Sequence, residues 1–124
     1  MKTAVIILSD PKPGTEEALG RFRNALVVAR DSRDAGDQVE IAFAGSGTRW
    51  PAVASQLGHP ANAQYNAVRD LVKGVSRSCA VVHGADKSAP DAGACLLSQN
   101  GTTDTNGGLS VRQYLADGWT VVTF

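Results

Sequence analysis

The sequence has no excess of charge of either sign. Its 124 residues contain 12 Lys and Arg and 12 Asp and Glu, so its formal net charge is zero. A protein that holds a nucleic-acid backbone needs a concentrated positive surface, and a balanced chain has only a weak long-range field. We therefore predict that nucleic acid is not a partner.

Long apolar segments are missing as well. The early apolar run, residues 4–8, is followed at once by Ser9, Asp10 and Pro11. A run of this length is too short to span a membrane or to form the core of a secretion signal. We expect a cytoplasmic protein with no membrane partner.

Cysteine is scarce, and its spacing is uninformative. Cys79 and Cys95 do not form a Cys-x-x-Cys pair, which predicts reduced thiols rather than a disulfide framework. Each lies in an apolar run assigned to a strand, so we expect both thiols to be buried. The sequence also shows no metal-ligand spacing and no complete phosphate-binding fingerprint, and we predict neither a metal nor a cofactor.

What the sequence does contain is an alternation of strand and helix patterns. Apolar or β-branched runs predict strands at residues 3–8, 39–43, 79–82, 94–97 and 119–124. Thr15 before two glutamates predicts the start of a long helix that Gly36 ends. Further helices are predicted at residues 50–57, from Tyr65 to near Gly74, and at residues 111–117, and residues 98–108 read as a loop. This order predicts a single domain over residues 1–124, with three α/β/α layers around a mostly parallel sheet of about five strands.

Several polar residues follow the predicted strands. Ligands bind beyond the carboxyl ends of strands in open parallel sheets, because loops and helix N-termini converge there. The candidate ligand-binding residues are Asp10, Gly45, Gly47, Thr48, Arg49 and His83. Glycines allow a ligand to approach the backbone, an arginine suits an anion, and a histidine can change its protonation near neutral pH. The alternatives are that the glycines only turn the chain while Arg49 stays solvated, that Asp10 is a turn residue, and that His83 bonds to local backbone.

The order of elements, together with residues 45–50, 75–79, 93–97 and 118–124, resembles the DsrE-like family over nearly the whole chain. This resemblance implies a five-stranded parallel-sheet domain with flavodoxin-like layering, assembly into homo-oligomers such as trimers or hexamers, and in some members the transfer of sulfur as a cysteine persulfide. Many similar sequences place a cysteine near the positions of Val82 and His83, so only Cys79 matches a family cysteine here. By the predicted strand, Cys79 lies at the end of the strand away from the crevice.

Two functional hypotheses follow. The first is a domain that binds a small polar or anionic ligand at the carboxyl edge of the sheet. The alternative is a sulfurtransferase or sulfur-relay subunit that uses Cys79 as its persulfide carrier. A purely structural role as an assembly subunit stays open, and Trp50, Tyr65 and Tyr114 are candidate interface or core residues.

Overall fold

A five-stranded parallel sheet forms the centre of the fold. The computed structural model describes residues 1–101 and 107–124, so part of the predicted loop, residues 102–106, lies outside the described residues. The strands are β1 (Lys2–Ile7), β2 (Gln38–Phe43), β3 (Val72–Ser76), β4 (Leu96–Leu97) and β5 (Thr120–Thr123), in the order β4-β3-β2-β1-β5. Their parallel pairing confirms the predicted α/β class.

Helices connect the strands. They are α1 (Glu16–Asp34), α2 (Trp50–Ala54), α3 (Asn62–Val68), α4 (Arg77–Val82), α5 (Ser88–Asp91) and α6 (Val111–Ala116), with short 3₁₀ turns at Gly45–Arg49 and Arg69–Leu71. Helix α1 begins where the sequence predicts, because the Thr15 hydroxyl accepts a hydrogen bond from the Ala18 N–H at 3.1 Å. Gly36 follows the helix with a φ of +90°, a conformation that suits glycine. In the described part of the chain, no helix has both the length and the apolar character that crossing a membrane requires.

The two faces of the sheet receive different numbers of helices. Successive crossovers from β1 to β4 move across the sheet in one direction, whereas the connection to β5 returns past β1. Because such crossovers are right-handed, the first set of helices covers one face and α6 covers the other. The core confirms this arrangement: Val5 and Ile7 pack with residues of α1 to α5, whereas Ala4 and Ile6 pack with Leu109 and α6.

The predicted third strand is wrong. Residues 79–82 form most of α4, and the strand lies earlier, at Val72–Ser76, where a helix was expected. Val81 and Val82 are 46% and 78% exposed, which fits a helix that buries only one side. Gly74 has a φ of +155°, and a Cβ there would overlap the Cys95 carbonyl oxygen, so a glycine is required within this strand. A short apolar run does not distinguish a buried strand from a helix, and here the less apolar segment forms the strand.

Two expectations about burial are corrected in opposite directions. The thiols predicted to be buried are not: Cys79 is half-buried and Cys95 is exposed. The aromatics considered as interface residues are buried within the single chain, with Trp50 at 2%, Tyr65 at 1% and Tyr114 at 6% exposure. The structure therefore shows the core role for these rings, and assembly into a homo-oligomer stays a prediction.

Candidate functional site

A cleft of about 380 Å³ opens beyond the carboxyl ends of β1 and β5. This is the point where the succession of strands reverses, since β1 leads to β2 on one side and pairs with β5 on the other. Open parallel sheets place ligands at such a reversal because the connections diverge to opposite faces and leave a crevice. The lining residues come from the segment after β1, from the first turns of α1 and from the end of β5: Leu8, Ser9, Asp10, Pro13, Thr15, Glu17, Ala18, Arg21, Thr123 and Phe124.

Four N–H groups of the segment after β1 donate within the protein. The Leu8 and Ser9 N–H groups both donate to the Phe124 carbonyl oxygen, at 2.7 and 3.3 Å. The Lys12 N–H donates to Asp10 Oδ1 at 2.9 Å, and the Gly14 N–H donates to the carbonyl of Pro11 at 3.1 Å. Proline supplies no N–H group. The donors of this segment are therefore mostly engaged within the protein, and the carboxylate of Asp10 faces the cleft as an acceptor.

Two ion pairs balance the charge of the cleft. The Arg49 guanidinium Nη1 lies 2.9 Å from Asp10 Oδ2, and Arg21 Nη2 lies 2.7 Å from Glu17 Oε1. Burial raises the pKa of Asp10, but the Lys12 N–H and the Arg49 guanidinium outweigh it and hold this pKa below its ordinary value. Asp10 is therefore ionised at neutral pH and can only accept hydrogen bonds.

Arg49 joins three segments at the carboxyl edge. Its Nη1 donates to Asp10 after β1, and its Nε donates to the His83 carbonyl at the end of α4, at 3.1 Å. The adjacent Trp50 indole N–H donates to the Ser9 carbonyl at 2.8 Å. The Arg49 and Asp10 side chains are 24% and 29% exposed, so this pair is only partly screened by solvent. The structure thus brings Asp10, Arg49 and His83 together, and their role as ligand contacts stays a prediction.

The remaining predicted site residues belong to the 3₁₀ turn after β2. Thr48 is buried, and its hydroxyl donates to the Gly45 carbonyl at 2.9 Å. A Cβ on Gly47 would overlap the Ile7 carbonyl oxygen, so this glycine allows the turn to pack closely against β1. These contacts fix the turn to the sheet, and of the six predicted residues Asp10 is the one that lines the cleft.

Cys79 lies at the carboxyl edge of the sheet. The sequence predicted it at the opposite end of a strand, away from the crevice, and that prediction is wrong. Because α4 begins directly after β3, Cys79 occupies the first turn of the helix that leaves the sheet there. His83 follows four residues later, and positions four apart lie on the same side of a helix. Ser76, the last residue of β3, links this strand to the segment before α6, because its hydroxyl accepts a hydrogen bond from the Leu109 N–H at 3.1 Å.

Sequence reasoning named the loop that contains Ser9 but did not select as ligand-binding residues five side chains that also line the cleft: Ser9, Thr15, Glu17, Arg21 and Thr123. The pairing of β5 with β1 is the missing information, because it brings Thr123 next to the loop after β1. Among residues 1–101 and 107–124, no three His, Cys, Asp or Glu side chains are grouped so that they could hold a metal ion. Comparison with family models, curated proteins and solved structures finds no match to this chain.

Proposed function

We propose that this protein binds a small polar molecule in the cleft beyond β1 and β5. The observation that carries the proposal is the position of the cleft at the reversal of strand order, where the fold leaves a crevice that polar side chains line. Its volume of about 380 Å³ lies within the range of small-molecule sites in proteins.

The cleft combines groups that orient a polar molecule with groups that exclude water. Ser9, Thr15 and Thr123 supply hydroxyls, and Asp10 and Glu17 supply carboxylates. Apolar contact is available from Leu8, Ala18 and Phe124. Small-molecule sites use the same division, in which a few polar groups determine orientation and apolar surface contributes affinity.

The wall of the cleft is held in place before any ligand binds. The Trp50 indole and the Arg49 guanidinium fix Ser9 and Asp10 from the side of β2. Phe124 fixes the same segment from the side of β5 through its carbonyl oxygen. A wall that is already ordered loses less conformational entropy on binding, which favours affinity for a small ligand.

A fragment screen followed by amide chemical shifts tests the proposal. We expect fragments to shift the amide resonances of Ser9, Thr15, Ala18 and Thr123. Ala18→Leu fills the cleft and keeps a strong helix former in α1, so it should abolish these shifts. Ala63→Leu, at an exposed position of α3, is the matched control and should preserve them. Fragments that bind only elsewhere, or that bind equally to the Ala18→Leu variant, would contradict the proposal.

A sulfurtransferase or sulfur-relay role is the second candidate, and it includes membership of the DsrE-like family. The favouring observation is that Cys79 is half-buried in the first turn of α4, at the edge of the sheet where sites form. In such a reaction the Cys79 thiolate attacks the outer sulfur of a donor persulfide. The sulfur–sulfur bond of the donor breaks, its remaining sulfur leaves as a thiolate, and Cys79 becomes a persulfide.

The two cysteines provide an internal comparison for this second candidate. Cys95 is exposed and Cys79 is half-buried, so exposure alone predicts faster alkylation of Cys95. Faster alkylation of Cys79 requires a site that favours its thiolate. A persulfide donor should then add one sulfur atom to the Cys95→Ser variant and none to Cys79→Ser, as measured by intact mass. Sulfur addition that follows Cys95 would rule this role out.

A further inference from the structure

We propose that the ligand of the cleft is rich in hydrogen-bond donors and is not an anion: a polyhydroxylated or amino-bearing small molecule without a phosphate or carboxylate group. This inference rests on the proposed function, because it specifies the chemistry of the molecule that the same cleft accepts. It selects between the polar and the anionic ligands that the sequence left open.

The first argument is the state of the backbone donors. Sites that bind phosphate present several N–H groups from a glycine-rich loop or a helix N-terminus. Here Leu8, Ser9, Lys12 and Gly14 already donate their N–H groups to acceptors of the protein itself. At the N-terminus of α1, the Ala18 N–H donates to the Thr15 hydroxyl. An anion would therefore have to displace these bonds or bind the N–H groups of Glu16 and Glu17, which lie beside the carboxylates of the same two residues.

The second argument is the charge. Glu16 and Glu17 occupy the first turn of α1, where they already complement the positive end of the helix dipole. The two arginines next to the cleft each have a carboxylate partner, with Arg49 paired to Asp10 and Arg21 to Glu17. An anion in the cleft would therefore meet two carboxylates whose counter-charges are already engaged, which costs affinity.

The third argument is the set of acceptors that line the cleft. Asp10 Oδ1 and Oδ2 accept from Lys12 and Arg49, and Glu17 Oε1 accepts from Arg21. A carboxylate has about four lone-pair sites, so both groups retain capacity for donors of a ligand. A molecule with several hydroxyls or an ammonium group satisfies these acceptors, and a hydrogen bond to a carboxylate is stronger than one between neutral groups.

Four compounds that share one sugar ring test this inference by their charge. Glucose is neutral, glucosamine is cationic, and glucuronate and glucose 6-phosphate are anionic. In amide-shift titrations at constant ionic strength, we expect glucose and glucosamine to shift the Ser9, Thr15 and Thr123 resonances. The two anions should bind at least about tenfold more weakly, because they add a charge next to two carboxylates. Every fragment from the screen that binds in the cleft is also classified by its charge. Fragments that are not sugars therefore test the same inference, that the cleft prefers neutral or cationic ligands to anionic ones.

A charge-altering pair of variants sharpens the test. Glu17→Gln removes a cleft carboxylate and leaves Arg21 without its partner, so glucosamine should bind several-fold more weakly and the anions more tightly. Glu16→Gln makes the same change of charge at an exposed position of the same turn that does not line the cleft, and it should leave both affinities within about twofold. Asp10→Asn provides a second cleft variant, and circular dichroism checks that all three fold.

The outcomes separate the two proposals. Cleft ligands that are mainly anionic, or a Glu16→Gln effect equal to that of Glu17→Gln, would overturn this inference and leave the proposed function standing. A screen in which compounds of every charge fail to shift the cleft resonances would overturn both.

Discussion

The two faces of the sheet differ in how they are packed. On the side of α1 to α5, Phe22, Phe43, Trp50 and Tyr65 form one aromatic cluster, in which the rings of Phe22 and Trp50 stack at 4.0 Å. Cores of this kind combine a large buried apolar area with favourable ring geometry. This face should therefore supply most of the free energy of unfolding.

The face under α6 is thinner and more polar. The sheet contributes the small side chains of Ala4 and Ala42 to it, beside Ile6. Its largest buried side chain is Tyr114, whose hydroxyl donates to Glu40 Oε2 at 2.6 Å. One face is thus held mainly by packing and the other partly by a specific hydrogen bond, so substitutions on the two faces should behave differently.

Removing the ring at the centre of the aromatic cluster should have the largest effect. Phe22→Ala leaves a cavity next to Phe43, Trp50 and Tyr65, and we expect it to lower the free energy of unfolding by about 3–5 kcal/mol. Urea denaturation measures the loss. Leu115→Ala on α6 is the control on the other face, where Leu115 is 59% exposed, and should stay within about 0.5 kcal/mol. Similar losses in both variants would contradict the proposed difference between the two faces.

Adding a single methyl group to the same face should also be costly. Gly47→Ala places a Cβ against the Ile7 carbonyl oxygen, which the turn and β1 can relieve only by moving apart. We expect a loss of about 2–3 kcal/mol in chemical denaturation. Gly58→Ala is the matched control, since nothing lies within 4 Å of its added Cβ. A tolerated Gly47→Ala would mean that the turn is loosely held.

The opposite face should respond to the loss of one hydroxyl. Tyr114→Phe keeps the ring and removes the donor to Glu40, so we expect a loss of about 1–2 kcal/mol. Glu40 keeps its contact with Lys73 at 3.4 Å, which limits the effect. Thermal and urea unfolding measure it, and the matched control is Tyr65→Phe in the aromatic cluster, with an expected effect below that of Tyr114→Phe. The reverse order would show that the polar bond does not stabilise the α6 face.

The smallest expected effect is a dependence of stability on pH at the rim of the aromatic cluster. His59 lies edge-on to Trp50, and its Nδ1 accepts a hydrogen bond from the Ala61 N–H at 3.1 Å. Burial, and then the charge of Arg23, lower the pKa of His59. Between this lowered pKa and the unfolded value of about 6.5, the unfolded chain binds more protons, so stability rises with pH in that window.

His59→Asn keeps an acceptor for Ala61 and removes the titration. The wild-type protein should lose stability as the pH falls below about 6.5, by less than about 1 kcal/mol, and the variant should lose less over the same window. Urea midpoints at several pH values above 4.5 separate this effect from the titration of carboxylates. Equal slopes for the two proteins would show that His59 does not titrate differently on folding.

Much of the fold could be predicted from local patterns, and the exceptions have physical causes. The first and last strands are apolar runs with clear ends, and Thr15 and Gly36 mark the limits of α1 through capping and a positive φ. The third strand was missed because Val72–Ser76 contains a lysine and a glycine. Its glycine is required by the approach of the Cys95 carbonyl, a contact with a segment about twenty residues later that no local pattern encodes.

The candidate site was less predictable because it depends on the order of strands. The rule of carboxyl ends directed attention to the loop after β1, which contains Asp10, a residue that lines the cleft. The rule could not predict which strand besides β2 would pair with β1. That strand is β5, and its end supplies Thr123 and Phe124 to the cleft. Arg49 was predicted from its charge to contact an anion. In the structure, two of its N–H groups donate to Asp10 and to the His83 carbonyl. Such pairing is tertiary, and residue type alone does not reveal it.

The position of β1 has a consequence for how the chain folds as it is synthesised. Thr3 pairs with Thr120, so β1 has one neighbour, β2, that is the next strand along the chain and another, β5, that leaves the ribosome only after almost all of the intervening chain. Until then, β1 is an edge strand whose buried apolar residues face an open side, a state that invites pairing with other chains. Long-range pairing of this kind also slows folding, because a large loop must close before the contact forms. The nascent chain therefore depends on β5 to protect β1.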